Sequence, residues 1–186
     1  MNIMENKIIG KVLDLGAFKA SVISASDIKT DKMFRELCRA NACGMYGKCY
    51  MCPPDIGEID VLMAKLRDYR CALVYQTVTA LEDSFDFEGM TEARIEANRI
   101  ALKLRSVFDE IGIKNVLHLS AGACGICETC AKRTGEPCRC PDLAMASLEA
   151  YGINVNELAK TAGMKYINGQ DTVTYFGAVL FTPDGE

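Results

Sequence analysis

The sequence predicts an α+β (or α/β) fold: a single mixed sheet of about four strands, with helices packed on it and two cysteine-rich metal loops. Three observations lead there. Short runs rich in β-branched and aromatic residues alternate with stretches of helical period. One long helical stretch separates two of those runs, as in a parallel crossover with its usual right hand. Ten cysteines fall into two groups, at residues 38–52 and 124–140, with Cys71 alone between them. No Pro/Gly/Ser linker, low-complexity tract or long repeat divides the chain, so residues 1–186 are read as one domain.

Taken in order, residues 17–25 alternate Phe18, Ala20 and Val22 with Lys19, Ser21 and Ser24, a strand pattern. Asp31 suits the N-cap of a short helix through Phe34, Leu37 and Cys38. After the first cysteine group, Asp55 or Glu58 opens a helix with Ile59, Leu62, Met63 and Leu66 on one face. Residues 71–79 (CALVYQTVT) read as a strand. Thr91 is the expected cap of a long helix carrying Ile95, Ile100, Leu104, Val107 and Ile111, stopped by Gly112. Residues 116–120 form a short buried strand leading into the second cysteine group. A helix is expected from Asp142 to Gly152, then a shorter one capped by Asn154 with Glu157 and stopped by Gly163. Residues 172–182 (TVTYFGAVLFT) close the chain as a strand.

Composition narrows the function. Net charge is −4 and basic residues are scattered, Lys132-Arg133 being only a pair, so nucleic acid is not an expected partner. No run approaches the roughly 20 apolar residues of a membrane span. The first ten residues carry Glu5 and Lys7 and lack the apolar core of a signal peptide. A cytoplasmic location is expected, with no membrane association. Cytosolic thiols stay reduced, and a chain this long can bury a core without staples, so metal is a better fate for the cysteines than disulfides.

The run Cys124-Gly-Ile-Cys127-Glu-Thr-Cys130 is the strongest signal. Three thiolates at two-residue spacing wrap a loop around a compact object and point inward from three sides, which suits a cubane iron–sulfur cluster. Gly122 and Gly125 allow close backbone approach. The fourth ligand comes from farther along, Cys138 or Cys140, the latter followed by Pro141 as in the Cys-Pro ending of a ferredoxin run. Zinc is the alternative metal, although four-thiolate zinc sites usually draw paired ligands from two separated turns. The first group, Cys38-x4-Cys43-x5-Cys49-x2-Cys52-Pro53-Pro54, offers four thiolates at looser spacing and suits zinc or a cluster equally. Its neighbour tips it toward iron–sulfur.

The string Cys43-Gly-Met-Tyr46-Gly47-Lys-Cys49-Tyr50-Met-Cys52-Pro53-Pro54 resembles the signature of a family of predicted cysteine-rich metal-binding proteins of unknown function. The Cys124-x2-Cys127-x2-Cys130 run, the Pro137-Cys138-Arg139 step and the stretch through Met145, Gly152 and Val155 resemble its second half. The resemblance implies that Cys38, Cys43 and Cys52 are metal ligands, with Cys124, Cys127, Cys130 and Cys138. Cys49 and Cys140 stand where the family pattern has other residues. That leaves Cys49 as the local candidate for the fourth ligand of the first site, with Cys71 or a non-thiol group as the others.

The remaining chemistry-bearing residues have plainer readings. His118, the sole histidine, lies in a Val-Leu-His-Leu strand and reads as structural, with a role behind the second cysteine group left open. Cys71 and the nine methionines read as packing residues. Glu82, Asp83, Asp86 and Glu88 with Phe85 and Phe87 read as a solvated loop, or more sharply as a docking surface. The expected function is an iron–sulfur protein with two [4Fe–4S]-type clusters that serves a redox partner protein in electron transfer. The alternatives are an enzyme with an open-site cluster and a zinc-stabilised binding module.

Overall fold

The two longest β-rich runs of the chain pair with each other along their whole length. In the computed structural model, which describes residues 3–183, five strands form one mixed sheet: β1 (Lys19–Ser24), β2 (Cys71–Ala80), β3 (Val116–Ser120), β4 (Ala146–Ser147) and β5 (Thr172–Phe181). Their order is β1-β2-β5-β3-β4. β5 runs antiparallel to β2, from Cys71 opposite Phe181 to Ala80 opposite Thr172, and antiparallel to β3 on its other side. The strands at residues 71 and 116 are thus parallel in direction, as a crossover requires, but β5 lies between them. The sheet has five strands and not about four, because the two-residue β4 is too short to carry any period. Residues 1–2 and 184–186, included in the one-domain expectation, lie outside the described residues.

Alternation along the strands gives the sheet two apolar faces. Ala72 and Val74 on β2, with Phe176, Ala178 and Leu180 on β5, face one side. Leu73 and Tyr75, with Val179 and Phe181, face the other. The first face is covered by α3 (Ile59–Lys65), α5 (Val155–Thr161) and a turn through Leu148, Ala150 and Ile153. The second is covered by α1 (Ile3–Asp14) and α4 (Phe87–Ile111), through Ile8, Val12, Ile100, Leu104 and Phe108. Helix, sheet and helix make three layers. No helix among the described residues is long and apolar enough to cross a membrane.

Several local expectations change. The sequence reading had no helix at α1, where buried Ile8 and Val12 alternate with Ile3 and Leu13 that face solvent, 86% and 41% exposed. The cap of α4 is Asp86, whose Oδ1 accepts from Gly89 N at 2.8 Å. Thr91 sits one turn inside, its hydroxyl donating to Phe87 O at 2.8 Å. Gly112 ends α4 at φ 90°, as expected. The helix expected from Asp142 to Gly152 is not formed. Ala146 and Ser147 pair instead with Leu119 and Ser120 of β3, and a single 3-10 turn, Glu149–Tyr151, follows. Burying Leu148, Ala150 and Ile153 against the sheet outweighs a modest helical propensity there. Asn154 does cap α5, accepting from Glu157 N at 3.1 Å. The N-cap of α2 (Met33–Arg39) is Lys32 and not Asp31, which stands one residue earlier and accepts from Met33 N at 2.8 Å.

Candidate metal centre

Both cysteine groups lie on irregular backbone carried at the ends of these elements. The first begins in the last turn of α2, which holds Cys38, and runs to α3. The second leaves the end of β3 and returns at β4. Because β3 and β4 are hydrogen-bonded neighbours, both ends of that loop are pinned on one edge of the sheet. The two loops are then stapled together. Tyr50 donates from its hydroxyl to Glu136 O at 2.7 Å, Lys132 pairs with Asp55, and the same Lys132 lies 5.3 Å from the centre of the Tyr50 ring. α4 braces the second loop from the opposite side. A Cβ on Gly125 would come within 2.9 Å of Asn98 Nδ2, so any larger residue there would force Asn98 to shift.

The second group is larger in space than in sequence. Cys124, Cys127, Cys130, Cys138 and Cys140 line one small cavity, and Cys49 of the first loop joins them. The space they enclose is about 20 Å³, close to the size of one water. Cys127 lies beside Cys140 and Cys138. Cys49, fully buried, is held by the Cys52 thiol, by the backbone N–H groups of Met51 and Cys124, and by the Cys130 thiol. These hydrogen bonds, led by that of Cys52, push its pKa down to about 6. Cys52, as the donor, is pushed up. Cys124 is also raised, by burial first. Residues 49 and 52 are therefore where the two groups meet.

Cys38, Cys43 and Cys52 line a different and more open space, a cavity of about 450 Å³ with Phe34, Leu37, Tyr46 and Tyr166. Burial, then the neighbouring Cys43, raises the Cys38 thiol, while Arg35 opposes them. Arg35 is only 7% exposed, and its Nε and Nη2 have no acceptor. Arg105 stands in a similar relation to Cys124: half-buried, its Nε lacking an acceptor and its Nη2 donating to Leu143 O at 3.3 Å. Each cysteine group thus has a guanidinium held near it.

None of the ten cysteines is in a disulfide. Among the described residues, no three of His, Cys, Asp or Glu converge closely enough to hold a single metal ion as they stand. The donor set nevertheless fits a thiophilic metal or cluster, since thiols are gathered from separate loops with basic side chains beside them.

Other candidates fall away from these centres. Cys71 begins β2 and packs on the face covered by α1 and α4. His118 is buried with neither ring nitrogen hydrogen-bonded, its ring edge-on to Phe108 at 5.9 Å. Burial, reinforced by Arg105, lowers its pKa to about 4 and keeps it neutral. The acidic run makes turns: Asp86 caps α4, and Asp83 Oδ1 accepts from Phe85 N at 2.7 Å. Sequence reasoning missed Arg35 and the α4 residues Arg94, Asn98 and Arg105. Their signal was a row of polar residues at helical spacing within an apolar helix.

A family model described as "Predicted metal-binding protein (DUF2284)" matches residues 21–181 of the chain. No curated protein and no solved structure matches it.

Proposed function

The chain belongs to this family of predicted metal-binding proteins, and on that premise we propose that it is an iron–sulfur protein with two [4Fe–4S]-type centres that passes single electrons to a partner protein. The observation that carries the reading is the gathering of six cysteines, from two loops, around one cavity beside a second group of three. The second centre takes Cys124, Cys127 and Cys130, with Cys138, Cys140 or Cys49 as its fourth ligand. Cys49 in that role repeats the crossed ligation of two-cluster ferredoxins, where a cysteine of one run serves the other cluster. The first centre takes Cys38, Cys43 and Cys52. A bound cluster supplies one-electron chemistry. The protein supplies the thiolates, the backbone N–H groups around them, and the charges of Arg35 and Arg105, which favour the more reduced and more negative state.

A second reading, an enzyme whose first centre keeps one metal position free of protein ligands, is favoured by a specific observation. Cys49 turns to the second group, and the three thiols left behind form one wall of a cavity of about 450 Å³, within the range of small-molecule sites.

Iron, acid-labile sulfide and zinc measured on protein purified without oxygen test both readings. The expected result is a brown protein with about eight irons and as many sulfides per chain, as two four-iron clusters require. A colourless protein with stoichiometric zinc overturns both and leaves the zinc-stabilised module.

A further inference from the structure

The cavity in front of Cys38, Cys43 and Cys52 does not end at those thiols. It shares Cys43, Met45, Gly122 and Ala123 with a second cavity, of about 680 Å³, running between α4 and the second cysteine loop. The two halves differ in chemistry. The half near Cys38 is walled mainly by Phe34, Leu37, Tyr46 and Tyr166, with Glu149 as its carboxylate. The other is lined by Arg94, Arg99 and Arg133, with Glu128 as its one carboxylate.

These cations are poorly matched by the chain itself. Arg99 pairs with Glu96 at 2.9 Å. Arg94 makes no ion pair among the described residues. Arg133 reaches only Met45 Sδ at 3.5 Å, a weak acceptor. Asn98, 7% exposed, lines the same wall with its Oδ1 unpartnered. In a chain of net charge −4, three guanidinium groups against one carboxylate in the half beside α4 make a local positive field there, which concentrates anions and offers forked donors to them.

We propose that this continuous cleft binds a small organic anion with an apolar body, its carboxylate or phosphate on Arg94 and Arg133 and its body across Cys43 in the apolar half. The proposal rests on the second reading above only in making this the ligand of the first centre; the cleft and its charge do not depend on which metal the thiols hold. Arg94 and Arg133 set the position of the anionic end. Leu37, Tyr46 and Tyr166 select an apolar body over a polar one.

The test is calorimetric titration of the anaerobic, metal-loaded protein with hexanoate and hexyl phosphate, using inorganic phosphate and hexanol as probes that lack one half. At least one amphipathic anion is expected to bind saturably, about tenfold tighter than phosphate or hexanol, as loss of a charge-assisted contact or of a buried chain would give. Arg133→Gln, at an exposed position, is expected to weaken it about tenfold with metal content unchanged. Arg94→Gln is the second variant. Leu37→Asp is expected to weaken hexanoate and leave inorganic phosphate alone. The proposal is overturned if neither anion binds, if hexanol binds as tightly, or if both arginine variants bind like the unaltered protein. Binding that leaves the metal's absorption and paramagnetic resonance unchanged keeps the cleft and removes the open-centre reading. A spectral change on binding supports both.

Discussion

The two cysteine groups contrast in support, enclosure and membership. The second loop is anchored at both ends on neighbouring strands, braced by α4 and gathered tightly around about 20 Å³. The first hangs between two helices of seven residues each and opens on about 450 Å³. Six cysteines line the small space, and the three others of the groups line the large one. Cys49 is the reason for the imbalance, belonging to the first group by sequence and standing between the two in space, hydrogen-bonded to Cys52 while lining the cavity of the second. A tight ring of thiols suits a centre that only exchanges electrons. A three-thiol wall on a ligand-sized cavity suits one that meets a molecule.

The strongest way to break this contrast is to remove single cysteines. Cys130→Ser should abolish the spectral signature of the second centre and leave that of the first, with Cys43→Ser doing the reverse. Cys49→Ser should then resemble Cys130→Ser. Iron analysis and paramagnetic resonance of the three variants decide it, and a Cys49→Ser protein that resembles Cys43→Ser returns Cys49 to the first group.

The support under the second loop is the next target. His118 lies on β3, the strand that delivers that loop, and its folded pKa of about 4 is below its unfolded value near 6.5. As pH falls from about 6.5, the unfolded chain takes up the proton first. Stability therefore declines down to about pH 4 and levels off below, by roughly 3 kcal/mol at most. His118→Leu should remove that part of the acid sensitivity in denaturant titrations followed across pH. An unchanged profile would mean the imidazole is not held neutral.

Gly125→Ala probes the brace. The added methyl meets buried Asn98 and should cost about 1–3 kcal/mol. Iron retention by the second centre should fall, and Asn98→Ala should restore part of it. If Gly125→Ala retains iron normally, α4 does not constrain the loop.

The smallest effect concerns the first group. Arg35 is a buried cation with two nitrogens lacking acceptors, and the Cys38 thiol lies within its field. Arg35→Met should stabilise the metal-free protein by about 1 kcal/mol while weakening metal retention at the first centre. Thermal melts with and without metal should shift in opposite directions. A shift of the same sign in both would show that Arg35 serves packing alone.

Much of this organisation was legible in the residue pattern, and the failures have physical causes. β2 and β5 announced themselves because ten-residue runs rich in β-branched and aromatic side chains leave little alternative. The cap at Asn154 was readable because a short polar side chain beside an apolar periodic run has one common use, whereas Asp31 lies one residue before the N-cap of α2, Lys32, and accepts from Met33 N. Thr91 misled because it has the same chemistry as a cap one turn inside the true one, Asp86. The expected helix after Asp142 failed because pairing of Ala146 with Leu119 depends on a strand far away in sequence. α1 was missed because its buried face is too narrow to stand out from the apolar residues it exposes.

From the order of residues come the two cysteine groups, the strength of the 124–130 run and the mixed sheet with its helices, because these depend on spacing and periodicity within short windows. Packing in three dimensions alone moved Cys49 across to the second group, brought Arg35 and Arg105 beside thiols, and joined an arginine-lined cleft to an apolar one. Such features lie between elements dozens of residues apart. Spacing shows which thiols can share a loop, whereas the crossing of two loops over a sheet edge decides which thiols share a space.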